Sequence, residues 1–123
     1  MDTVPAAGAF DLAIAALHLG FWRLFRWKEQ LPRMAKVNGA VMQALNLVLT
    51  AVLAGLGALC LVHAGTLAGS ALGRQLLGGV AALWLFRAVL QPWLFGLRHP
   101  VSAAFVPVFV IGAALHAAPL LGG

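Results

Sequence analysis

Residues 39–62 read GAVMQALNLVLTAVLAGLGALCLV, an unbroken apolar run. A helical membrane crossing takes roughly 20 such residues, whereas a membrane strand alternates in polarity and is about half as long. In hydrocarbon every backbone N–H and C=O must be satisfied internally, and a helix does so within one segment. The run therefore predicts a membrane-spanning helix. Comparable runs lie on either side, at about 7–24, 76–95 and 101–121. Together they predict an all-α, polytopic membrane protein. The expected architecture is a four-transmembrane-helix bundle with short loops, forming one integral membrane domain over residues 1–123.

Composition agrees. The chain has 123 residues, 63% hydrophobic and 9% charged, with a mean hydropathy of +0.98. A soluble domain carries about 25% charged residues, so this one lacks the means to cover itself with a water-compatible surface. Four crossings would use about 80 residues, which leaves no room for a soluble catalytic domain.

Eight Lys and Arg stand against three Asp and Glu. Most of the bases sit between the first two apolar runs: Arg23, Arg26, Lys28, Arg33 and Lys36. That clustering reads as the positive-inside bias of a membrane protein and not as a nucleic-acid surface. The second connection, HAGTLAGSALGR, reads as small and flexible and holds Arg74 alone. The third is a tight turn carrying Arg98 and His99. If the first connection is cytoplasmic the third is too, which predicts a multi-pass protein of the cell membrane with both termini outside. The first apolar run precedes the bases, the reverse of a secretory signal, so it is expected to be retained.

Polar residues inside the runs fall on helical stripes. Asp11, Ala15, His18 and Trp22 share one face of the first helix, and Gly39, Gln43, Asn46, Thr50, Ala54 and Gly57 share one face of the second. Trp84, Arg87 and Gln91 align in the third, and Ser102, Phe109 and His116 in the fourth. Such groups are costly in hydrocarbon and turn toward a bundle interior, where they bond across helices or line a cavity. The candidate polar cluster is Asp11, His18, Gln43, Asn46, Arg87, Gln91 and His116. Helix rise places Asp11 and His116 about 7 Å below the outer boundary and Arg87 about 16 Å down, within reach of Asp11, Asn46 or Gln43. Pro92 is expected to free the carbonyl of Ala88 beside Arg87. A second candidate set, Arg23, Arg26, Trp27 and Lys28, is suited to lipid headgroups.

Catalytic and cofactor motifs are missing from the sequence. It contains neither H-E-x-x-H, nor G-x-S-x-G, nor a phosphate-binding glycine loop, nor paired intramembrane carboxylates. Cys60 is the sole cysteine, and no zinc-spaced Cys/His set exists, so no metal is assigned. His18 and His116 differ in expected depth by about 10 Å, which argues against a bis-histidine haem, and no cofactor is assigned. In size and helix count the chain is similar to small multidrug-resistance exporters and fluoride channels. The former use a buried Glu in the first helix where this chain has Asp11, and both tend toward balanced loop charge, unlike the basic first connection. The sequence thus favours a structural or accessory membrane subunit, with lipids and a further copy or a larger complex as partners. The alternative is a small transporter, channel or lipid- or anion-binding protein built around Arg87, with a haem or redox carrier ranked below both.

Overall fold

The computed structural model describes residues 2–122. Among them the chain is all-helical, with no strand. Helix α1 is Val4–Leu19, followed by the short helices α2, Phe21–Leu24, and α3, Trp27–Gln30. A 3-10 turn, Leu31–Arg33, leads into α4, Lys36–Val62. Then come α5, Ala64–Gly69, and α6, Ala71–Leu90, which runs on as a π-helical turn, Gln91–Phe95, before α7, Pro100–Leu121. Three of these are long and apolar enough to cross a membrane: Lys36–Val62, Ala71–Phe95 and Pro100–Leu121.

Two expectations shift. The first apolar run, 7–24, is not one helix. Helix α1 has 16 residues, Gly20 turns its N–H back to the Leu17 carbonyl at 3.0 Å, and α2 begins anew. Arg26 then takes a left-handed backbone (φ 55), which separates α2 from α3 ahead of Pro32. The second connection is not a flexible loop either. It folds as α5 because Leu67 is buried with Val4, Cys60 and Leu77, and because Ser70 caps α6 by accepting from the Gly73 N–H at 3.0 Å.

Backbone proximity divides the chain into two compact units, one of Gly8–Leu59 and one of Met1–Ala7 with Cys60–Gly123. In the first, α4 buries Gly39, Asn46, Thr50, Leu53 and Gly57 at helical spacing. A Cβ at Gly57 would meet Leu12 Cγ at 2.7 Å and the Gly8 carbonyl oxygen at 2.9 Å, so the glycine sets how closely α1 and α4 approach. Leucine and valine cover the opposite side of α4, with Leu45 65% and Val48 62% exposed. An apolar outer face around a polar inner stripe is the arrangement expected in lipid.

In the second unit, α6 and α7 form an antiparallel hairpin across the turn after Phe95. Trp84 stacks on Phe109 at 5.7 Å, and Phe109 on Phe105 at 5.6 Å. Thr3 ties the chain start to α7 by donating to the Leu115 carbonyl at 2.9 Å, while the Asp2 carboxylate caps α1 through the Val4 N–H. Helix α7 opens with Pro100 in its first turn, and His99 Nδ1 accepts from the Val101 N–H.

Candidate functional site

The polar residues sort by unit. In Gly8–Leu59, Trp22 Nε1 donates to Gln43 Oε1 at 3.1 Å, and Gln43 Nε2 donates to the Gly39 carbonyl. Asn46 Nδ2 donates to the His18 carbonyl at 3.0 Å, and Thr50 donates to the Asn46 carbonyl at 2.7 Å. His18 Nδ1 lies 2.8 Å from the Ile14 carbonyl; a carbonyl only accepts, so that nitrogen carries the proton. Each group on this face thus bonds to α1, α2 or its own helix. Asp11, in the same unit, is fully buried.

Of the headgroup set, Arg23, Arg26 and Lys28 are exposed, and Arg26 pairs with Glu29 at 2.8 Å. Trp27 is placed otherwise. It is buried, edge-on to Trp22 at 4.9 Å and to Phe21 at 5.9 Å, so its ring props the segment from within.

The second unit holds Arg87, Gln91 and His116. His116 is fully buried on α7, with Nδ1 protonated toward the Gly112 carbonyl at 2.6 Å, and one of its ring nitrogens lies within 4.8 Å of the buried Cys60 sulfur. Arg87 anchors a directed chain of hydrogen bonds. Its Nη1 donates to Gln91 Oε1 at 3.0 Å, Gln91 Nε2 to Ser102 Oγ at 2.9 Å, and the Ser102 hydroxyl to the Gly96 carbonyl at 2.6 Å. The Arg87 Cζ also stands 4.5 Å from the Phe109 ring centroid and 5.4 Å from that of Phe95.

Local sequence builds this site. Pro92 has no N–H to continue α6, and the chain widens into the π turn. The Ala88 carbonyl is not left free as expected; it accepts from the Gln91 N–H. Gly96 closes the turn with its N–H on the Pro92 carbonyl and a φ of +73, a conformation that glycine adopts without strain. Its carbonyl is thereby presented to Ser102.

Arginine at a helix centre costs about 2.5–3.5 kcal/mol on insertion scales. Each cation–π contact returns about 1–2 kcal/mol when desolvated, and a hydrogen bond from a charged donor about 1.5–3. Neutral partners are enough to hold Arg87 in place, but they leave its charge uncancelled. Within its own unit, Gln91 and the two rings hold Arg87.

Comparison with protein-family models, curated proteins and solved structures returned no match. The chemistry of the side chains must therefore carry the functional reading. Arg74 was legible only as a charge. It donates to the Pro119 and Leu120 carbonyls at 2.9 and 3.1 Å and to Ala68 at 3.4 Å, so it caps the end of α7. Ser102, Phe95 and Phe109 also enter the Arg87 site unforeseen, although Arg87, Gln91 and Phe95 recur every four residues. An open concavity of about 350 Å³ on α6, lined by Leu72, Gln75, Leu76, Gly79, Val80 and Leu83, gathers no set of catalytic groups.

Proposed function

We propose that this chain is an accessory or structural subunit of a cell membrane, crossing it four times with both termini outside and acting by packing against a further copy or a larger membrane complex. One observation carries the reading. Among the described residues no buried side-chain nitrogen or oxygen lacks a hydrogen-bond partner. Gln43, Asn46, Thr50, Gln91 and Ser102 bond to neighbouring helices, to turns or to their own helix, as side chains that hold helices together do. Bonds of this kind are worth about 0.6–2 kcal/mol each and fix helix register.

The apolar exterior supports association. Leu45, Val48, Phe86, Val89 and Leu94 are each more than 60% exposed, a surface suited to lipid or to another helix. Native mass spectrometry after gentle extraction tests the proposal. The expected result is a complex heavier than one chain, either a homo-oligomer or an assembly with defined partner proteins. A monomer at every mild detergent condition, together with a substrate flux in liposomes that Arg87→Met abolishes, would replace the subunit reading with transport.

A further inference from the structure

Arg87 is a cation inside an apolar helix, and each of its contacts is neutral. Only Nη1 is hydrogen-bonded. Arg87 is half-buried, and no buried side-chain nitrogen among the described residues lacks a partner, so its remaining guanidinium nitrogens reach the protein surface. Those nitrogens present a planar fork of N–H donors, the geometry that pairs with phosphate in bidentate fashion. Gln91, whose amide is fixed by Ser102, holds the guanidinium by its Nη1 arm.

Position narrows the ligand. Contacts with Gln91 and Phe95, four and eight residues further on, carry the guanidinium toward the Gly96 end of the helix. That end also bears Arg98, which is exposed. The face of α6 that Arg87 shares is apolar and open toward the helix centre, with Leu83 50% and Leu76 38% exposed four and eleven residues before it. An anion that meets both the fork and this surface needs a hydrocarbon part. We propose that Arg87 binds the phosphate of an anionic phospholipid, whose acyl chains lie along Leu83 and Leu76. This site is independent of the subunit reading, since a lipid can be held with or without a protein partner.

The test uses the full chain in nanodiscs of phosphatidylcholine doped with phosphatidylglycerol, with retained lipid read by native mass spectrometry. One charge contributes about 1 kcal/mol of attraction, so Arg87→Met should lower the ratio of bound phosphatidylglycerol to phosphatidylcholine about fivefold. Arg74→Met, whose donors are engaged by carbonyls, should leave the ratio unchanged. Equal ratios in the wild type and Arg87→Met overturn the proposal. A second arm adds inorganic phosphate to phosphatidylcholine-only discs. Arg87-dependent broadening of the phosphate ³¹P signal there would assign the site to a soluble anion, and its absence supports the lipid. Should Arg87→Met not assemble, brominated lipids report on the site in the Leu83→Trp variant, its added signal isolated by difference against the unmodified chain. Deeper quenching by brominated phosphatidylglycerol than by brominated phosphatidylcholine is expected, and equal quenching overturns the assignment.

Discussion

At the scale of single residues, two glycines of α6 make opposite predictions. A Cβ on Gly73 would run into the backbone of Leu67, which a side-chain rotation cannot relieve. Gly73→Ala should therefore destabilise the fold by about 1–3 kcal/mol, as overpacking does, measured by unfolding in detergent. Gly79 faces open space, so Gly79→Ala should be neutral or stabilising by up to about 1 kcal/mol through helix propensity. If both variants behave alike, the close approach of α5 to α6 is wrong. The sequence reads Gly73 as part of a flexible connection and Gly79 as part of an apolar run, and it does not show which is crowded, because that lies in what the rest of the chain brings near. Arg87 teaches a similar lesson. Its rarity in an apolar run marked it at once, but depth along a helix says nothing of azimuth, and a long side chain moves its charge several ångströms from its Cα. Gln91 was legible from its helical spacing, whereas the rings of Phe95 and Phe109 were not.

At the scale of elements, periodicity was the reliable signal. The stripe of Gly39, Gln43, Asn46, Thr50, Ala54 and Gly57 on α4 lies inward, apart from the part-buried Gln43 and Ala54, since a helix admits only one such face; Leu53 and Cys60 extend it. Breaks were harder to read. The left-handed Arg26 has no glycine to announce it, and the π turn needs Pro92 and Gly96 to act together. Two exchanges test the polar contacts. Gln43→Leu removes the acceptor for Trp22 Nε1 and should cost about 0.6–2 kcal/mol in unfolding experiments, and its cost should shrink in a Trp22→Phe background, where that bond is already absent. Arg74→Met removes a charged donor from the last carbonyls of α7. A net loss of about 1.5 kcal/mol should speed amide exchange at Ala117, Ala118 and Leu120 roughly tenfold and leave the α6 centre unaffected. Uniform acceleration along both helices would mean that Arg74 supports the hairpin as a whole and not the helix end.

At the scale of the whole molecule, the open quantity is the number of crossings, and α1 decides it. Its 16 residues span about 24 Å, short of a hydrocarbon core of about 30 Å. Adding the turn at Gly20 and α2 lengthens the segment to about 31 Å, enough to cross, with Trp22 and the exposed Arg23 at the end that meets the headgroups. Parity makes this testable. If the three long helices cross, residue 33 and residue 98 lie on one side and residue 70 on the other, whether or not α1 crosses. Only the chain start differs. Single cysteines introduced in a Cys60→Ala background as Ala6→Cys, Arg33→Cys, Ser70→Cys and Arg98→Cys can be probed with a membrane-impermeant maleimide on intact cells. With four crossings, Ala6→Cys and Ser70→Cys label from outside, and Arg33→Cys and Arg98→Cys label only after permeabilisation. If Ala6→Cys instead follows Arg33→Cys, α1 lies along the inner surface, the outward N-terminus falls, and the buried Asp11 belongs to an interfacial helix that never crosses.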